Sequence, residues 1–390
     1  MIDLEVVPGF TLGRYPSSMA HRNRLGSARQ LVQPGYSQVM IDLCARLGLQ
    51  APLIQAPMAG AQDHRLAVAV CENGGLGSLP AAMLSPDALA AELSALSQAT
   101  SRAFNVNFFC HAPPVPDEAV EAAWRQLLAP YYVELGMDIP ALPSSPARVP
   151  FNHDLADVLE GFRPAVVSFH FGLPAPDLLA RVKSWGSLVL SSATTVAEAQ
   201  WLQAHGADAV IAQGLEAGGH RGMFLSDNLD HQSGTFALLP QVVRAVQLPV
   251  IAAGGIACGQ GATAATTLGA AGVQMGSAYL CSHEATTGPL HRSQLLSSAE
   301  RQTAVTNLFT GRPARGLVNR VMRELGPLHS AAPAFPLATA AIAPLRAAAE
   351  ALGRTDFTPL WAGQNLSKIR AASAAEITQD ILRHWHRVPA

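Results

Sequence analysis

The chain has 390 residues, enough for two or three average domains or for one large barrel with additions. Hydrophobic residues make up 49% and charged residues only 14%, which excludes a disordered or heavily charged solvating protein. A formal net charge of -2 provides neither the basic field that nucleic acid requires nor a polybasic patch for a membrane.

In chain order, the opening Met-Ile-Asp-Leu-Glu carries acids where a secretory signal needs a basic flank, and no apolar run reaches about 18 positions. A soluble, cytoplasmic protein is therefore expected. Residues 1–45 read as an N-terminal arm with no functional signature. Beyond them, short apolar runs that end in Gly, Asn or a polar residue alternate with Ala/Leu-rich helical stretches. These runs fall at 52–56, 75–79, 104–108, 165–169, 187–191, 209–212, 250–253 and 272–275. Eight parallel strands with crossover helices predict an α/β fold, a (β/α)8 TIM barrel over residues 46–285, with an open doubly wound sheet as the alternative. A helical second lobe over 286–360 is expected after the last strands, and a C-terminal helix within 361–390 is expected to close the barrel.

Three connections exceed the length of one helix. The third, 110–164, holds two Pro-rich stretches and is expected to cap the barrel mouth. The sixth, 213–248, begins Gly-rich, and the segment after the last strand, 281–390, is the longest. Long connections in compact enzymes are commonly functional.

Barrel chemistry sits at the C-terminal ends of strands. The third run ends at Asn107 and the sixth at Gln213, neutral amides that can both donate to and accept from a heterocycle, or can cap barrel turns. The fourth ends at His170, either a satisfied core residue or a general base poised in an apolar pocket. His220 follows Gly218 and Gly219, where backbone can pass close to a ligand. Gly254 and Gly255 follow the seventh run, and Gly276 and Ser277 follow the eighth. Two such groups on the two expected strands suggest a phosphate grip rather than simple turns.

Other chemistry is excluded by what is missing. All but Lys183 and Lys368 of the 26 cationic residues are arginine, so there is no G-K-S/T phosphate loop. The five cysteines are scattered, with no C-x-x-C pair, and support neither disulfides nor a metal site. Gly259-Gln-Gly261 approaches a dinucleotide fingerprint. It does not open directly from a strand, however, and no matching acid follows about 20 residues on.

Five segments in order, A-P-M-A-G (56–60), F-N-V-N-F-F (104–109), S-F-H-F-G (168–172), Q-G-x-E-A-G-G-H-R-G (213–222) and A-A-G-G-I (252–256), resemble the nitronate monooxygenases, formerly called 2-nitropropane dioxygenases. The resemblance spans about residues 50 to 370. It implies a barrel holding FMN noncovalently through the backbone at Pro57 and Met58, through Asn107 and Gln213, and through Gly218, Gly219, Gly254, Gly255, Gly276 and Ser277. It also implies an active-site histidine, His220 ahead of His170, that removes the α-proton of a neutral nitroalkane. The implied reaction is oxidation of alkyl nitronates, and of nitroalkanes, by O2 to a carbonyl compound and nitrite. The alternatives are an NAD(P)H-dependent flavin reductase of enoyl thioesters or quinones, and a flavin-binding barrel without turnover.

One departure from the family stands out. Members acting on propionate 3-nitronate typically carry Y-P-x-A-Y-D-x-G-K in the second lobe, where this chain has Phe335, Thr339 and Ala343 in place of two tyrosines and a lysine. The wall loses two phenol donors and a cation, which puts an anionic substrate in question. Arg312 and Arg315 could replace the charge or tie the lobe to the barrel. Tyr131 and Tyr132 could line the pocket or pack the cap.

Overall fold

A computed structural model describes residues 43–139, 148–297 and 302–386. The expected N-terminal arm therefore lies outside the described residues except for its last three positions. Eight strands form one all-parallel sheet: β1 (Leu53–Gln55), β2 (Ser78–Pro80), β3 (Asn105–Phe109), β4 (Val166–His170), β5 (Leu188–Ala193), β6 (Ala209–Gln213), β8 (Val250–Ala253) and β9 (Gly272–Met275), with β7 (Gly219–His220) in a separate sheet. Their order is β1-β9-β8-β6-β5-β4-β3-β2. The two edges are stitched at one point, where Ile54 bridges Leu76 through Leu76 N–H to Leu53 O (2.8 Å) and Gln55 N–H to Leu76 O (2.9 Å). The sheet is thus nearly closed into a barrel.

The strands are short and buried on both faces, as parallel strands covered by crossover helices must be. Ile54, Leu76, Val166, Leu190, Ile211 and Ile251 fill the interior, and Leu43 and Leu47 join the same cluster. Between strands and outer helices lie two larger apolar layers, one built around Leu66, Leu202, Leu239 and Ile377, the other around Leu89, Leu93, Val106 and Leu159. Side-chain caps begin several helices, among them Ser85 before Pro86–Ala99, Thr195 before Val196–Ala204, and the Ser373–Glu376 capping box before Ala374–Arg383. That last helix packs against both His64–Glu72 and Gly259–Thr267, beside the β1–β9 seam. Gly259 marks the contact, since a Cβ there would lie 2.4 Å from the His384 backbone. The glycine that imitates a dinucleotide fingerprint serves helix packing.

The third connection supplies the helices Glu118–Glu134 and His153–Phe162. The first of these packs Trp124, Leu128, Tyr131 and Tyr132 against Leu308, Met322, Ile342 and Phe357 of the C-terminal lobe. That lobe is not wholly helical. β10 (Thr303–Thr306) and β11 (Ala314–Leu317) form an antiparallel hairpin that pairs with β7, with Ala314 opposite His220 and Arg315 opposite Gly219. Strands of two to four residues carry too little alternation to stand out in sequence, and β7 becomes a strand only when the hairpin arrives. Among the described residues no helix is long and apolar enough to cross a membrane.

Candidate active site

One cavity of about 570 Å3 opens at the C-terminal ends of the strands, a size typical of small-molecule sites. The twelve residues expected from the sequence to hold the cofactor or act as base all line it: Pro57, Met58, Asn107, His170, Gln213, Gly218, Gly219, His220, Gly254, Gly255, Gly276 and Ser277. Tyr131, Tyr132, Arg312, Arg315, Phe335, Thr339 and Ala343 are not part of the described wall.

The floor is built by amides that brace the strand ends. Gln55 at the end of β1 donates to Gln62 Oε1 (2.6 Å) and accepts from Ser78 N–H (3.0 Å). Gln62 in turn accepts from Met58 N–H (3.3 Å), which fixes the Pro57–Met58 turn. Asn107 spends its Nδ2 donors on Ser168 Oγ (2.9 Å) and Ser168 O (3.2 Å). Gln213 accepts from Gly222 N–H (2.8 Å) and donates to His220 O (3.0 Å), folding the 214–222 loop back over β6. Arg221, wholly buried, donates to the carbonyls of Gln213 (2.7 Å) and Gly214 (2.9 Å) and to Gln232 Oε1 (2.7 Å), and burial pushes its guanidinium down to about 9. It therefore stiffens the loop that presents His220.

On the side of β8 and β9 the backbone is open to a ligand. Among the described residues the N–H groups of Gly255, Gly276 and Ser277 meet no acceptor. Gly254 and Gly255 take positive φ (108° and 72°), a conformation that disfavours residues with a Cβ. The loop 363–365 buttresses this cradle: Gly363 N–H donates to Ser277 Oγ (2.8 Å) and Asn365 Nδ2 to Gly255 O (2.7 Å). Ser277 Oγ thus accepts one bond and keeps its proton to donate. Nearby, Gln274 Oε1 is a buried acceptor without a partner among the described residues, in the cavity wall. Open amides, a free hydroxyl proton and an orphaned acceptor suit a phosphate-bearing heterocyclic cofactor.

The two histidines have different surroundings. His170 Nε2 lies 3.1 Å from His220 O, and a carbonyl only accepts, so that nitrogen carries the proton. Its Nδ1 then accepts from Ser192 Oγ (3.0 Å), which leaves neither ring nitrogen free. Burial, with the Arg312 and Arg221 charges, holds His170 down to about 3. His220 Nε2 meets Thr310 Oγ1 at 2.9 Å, while its Nδ1 has no partner among the described residues. Burial first, then the charges of Arg148 and its other neighbours, holds His220 well below the usual histidine value. Both imidazoles are neutral at pH 7.

An aromatic wall stands beside them. Phe335 lies 5.3 Å from the His220 ring, 6.2 Å from Phe109 and 5.6 Å from Phe171, and Trp361 lies 5.6 Å from His220. Thr339 donates to Phe309 O (3.0 Å), and Ala343 is exposed. Neither Arg312 nor Arg315 is part of the described cavity wall. Arg312 stacks on Phe171 (4.0 Å) and donates to Met223 O, and Arg315 donates to Leu215 O (2.9 Å) and Thr303. Tyr131 and Tyr132 pack the cap, bonding Glu324 (2.8 Å) and Ala341 O (2.6 Å). Two cations do line the cavity: Arg346, paired with Glu350 (2.7 Å), and Arg148, 3.4 Å from Thr339 Oγ1 and without a carboxylate partner among the described residues. Sequence reasoning missed Arg148, Trp361, Gly363 and Asn365. They follow no strand, and their signal is only their arrival at the mouth through long connections.

The nitronate monooxygenase family model matches residues 41–384. A nitronate monooxygenase of Paraburkholderia phytofirmans is 42% identical over 86% of this chain and 93% of its own length, and one of Pseudomonas aeruginosa is 40% identical over 88% and 99%. Among solved structures, a nitroalkane oxidase from Streptomyces ansochromogenes matches with a TM-score of 0.79 at 37% identity, covering 88% of this chain and 97% of that one. With a matched region that runs from the helix before β1 to the end of the last helix, the chain belongs to the nitronate monooxygenase family.

Proposed function

We propose that the cavity holds FMN and that the chain uses it to oxidise alkyl nitronates, and nitroalkanes after deprotonation, with O2 to a carbonyl compound and nitrite. The carrying observation is a neutral histidine, His220, which lines the cavity, has no partner on Nδ1 among the described residues, and shares that cavity with an open backbone cradle. In this reading the nearly closed sheet is a (β/α)8 TIM barrel. Its seventh and eighth strands, β8 and β9, bring Gly254, Gly255, Gly276 and Ser277 to the phosphate. Pro57, Met58, Asn107 and Gln213 meet the ring system, and Gly218 and Gly219 let backbone approach it. Residues 286–360 form the substrate-side lobe, and the C-terminal helix completes the barrel on soluble, cytoplasmic protein.

When bound, FMN supplies the redox chemistry that moves electrons from the nitronate to O2. The chain's residues do the rest. His220 takes the α-proton of a neutral nitroalkane at Nδ1. His170 and Gln213 hold the His220 carbonyl and so set the height of its ring. Arg148 places a positive charge where a nitronate, an anion, must sit. Phe109 lines the cavity, and Phe171 and Phe335 are buried against it outside the described wall. With no tyrosine or lysine at positions 335, 339 and 343, uncharged alkyl chains are the favoured substituents over a carboxylate.

The test is to supply the purified flavoprotein with propyl-2-nitronate and with propionate 3-nitronate while following nitrite and O2. Nitrite release with matching O2 uptake is expected, with the higher kcat/KM on the uncharged chain. Rapid bleaching of the bound flavin by NAD(P)H without nitrite chemistry would instead favour a reductase, and no turnover of either kind would favour a binding barrel. A preference for propionate 3-nitronate would mean that Arg148 reads the carboxylate.

A further inference from the structure

Thr310 is buried in the turn between β10 and β11, 3% exposed, and is the hydrogen-bond partner of His220 Nε2. Its hydroxyl has one proton, and a carbonyl is at hand to take it. Thr310 Oγ1 lies 3.4 Å from Arg312 O, and Arg312 N–H points back at the same oxygen from 3.5 Å. A hydroxyl that donates to a carbonyl turns a lone pair toward its other neighbour. With the hydroxyl proton on Arg312 O, the His220 nitrogen facing that lone pair carries hydrogen and the remaining ring nitrogen is the unprotonated one; with the hydroxyl proton directed at His220 Nε2 instead, the tautomer is reversed.

We propose that Thr310 is a positioning residue that fixes His220 as the Nε2–H tautomer, so that Nδ1 is the atom that removes the α-proton of a neutral nitroalkane. This rests on the reading of His220 as base. In the step the α-carbon–hydrogen bond breaks, its electron pair passes into the nitro group to give the nitronate, and the proton forms a new bond to Nδ1. The imidazolium then donates a stronger, charge-assisted bond from Nε2 to Thr310 Oγ1.

The hydroxyl is separable from the scaffold. The hairpin that carries Thr310 holds β7 by backbone pairing, Ala314 with His220 and Arg315 with Gly219. The position of the His220 backbone therefore does not depend on the hydroxyl, and Thr310→Val removes the acceptor while keeping the side-chain shape.

The experiment compares wild-type, Thr310→Val and Thr310→Ser holoenzymes, each with flavin content measured, on a neutral nitroalkane and on its preformed nitronate. For Thr310→Val the ratio of kcat/KM on the neutral form to that on the nitronate should fall about tenfold, the loss of roughly one hydrogen bond in the proton-transfer step. Thr310→Ser should restore that ratio. Nitrogen-15 NMR of histidine-labelled holoenzyme, with His220 assigned through His220→Asn, should show the Nε2–H tautomer in the wild type and a mixture in Thr310→Val.

An unchanged ratio in flavin-replete Thr310→Val, or an Nδ1–H tautomer in the wild type, would overturn the proposal. The NMR measurement on wild type decides the matter even if Thr310→Val fails to fold. If His220→Asn destroys the ratio but Thr310→Val does not, only the positioning role fails. If His220→Asn leaves the ratio intact, the base assignment itself is wrong.

Discussion

The carbonyl of His220 accepts from both His170 Nε2 and Gln213 Nε2, so one backbone atom links the ends of β4 and β6 to the loop that carries the proposed base. This explains why a histidine at the end of β4 need not itself handle a proton. With both nitrogens engaged, His170 sets the position of its neighbour. At the cradle, Gly255 invites a sharper test. A Cβ there would sit 3.5 Å from Glu216 Cβ, an ordinary contact, so space does not forbid a side chain, although the positive φ costs about 1–2 kcal/mol. Gly255→Ala should therefore keep much of its flavin. Gly255→Asp, with a negative charge beside the phosphate, should lose it. Flavin absorbance per folded protein reads the difference, and stoichiometric flavin in Gly255→Asp would remove the phosphate from this position.

At the scale of elements, the cap helix Glu118–Glu134 is held to the lobe in two ways. Glu134 pairs with Arg320 (2.7 Å) and Arg354 (3.0 Å) at the surface, which pulls its carboxyl down to about 2, and Leu128 and Trp124 are buried beneath. Exposed pairs contribute little. Leu128→Ala should destabilise the protein by about 2–5 kcal/mol in denaturant titration, clearly more than Glu134→Gln. A larger effect of Glu134→Gln would mean that the ion pairs, not the apolar layer, dock the cap. The parallel strands were legible because they are continuous apolar runs closed by Gly, Asn or His. Residues 250–253 and 272–275 coincide with β8 and β9, and the other six are shifted or resized by one to three residues at an end. The hairpin of β10 and β11 was not legible, because its partner β7 is two residues of a Gly-rich loop and its pairing is purely tertiary. For the same reason Thr310 and Asn365 carried no signal. Their roles come from which loops meet at the mouth, not from any local pattern.

For the whole molecule, buried neutral histidines set the response to acid. Burial holds His111 and His291 down to about 4 and His170 to about 3, against an ordinary value of 6.5. Below pH 6.5 the unfolded chain binds protons that the folded chain refuses, so their contribution to stability is complete above 6.5 and is lost as pH falls toward 3–4. Denaturant titrations at pH 7 and pH 5 should show a marked fall in stability, and His111→Phe, which packs the same aromatic wall without titrating, should make that fall smaller. An unchanged pH dependence in His111→Phe would mean that His111 is protonated in the folded state. The same neutrality is what the proposed chemistry requires of His220, and the most direct test of the account is kinetic. His220→Asn, with its flavin content verified, is assayed on a neutral nitroalkane and on the preformed nitronate. General bases contribute about 10²- to 10⁴-fold, so the neutral substrate should lose activity on that scale while the nitronate, already deprotonated, is far less affected. His170→Asn should show a smaller and less selective loss. Wild-type turnover of the neutral nitroalkane by flavin-replete His220→Asn would contradict the account.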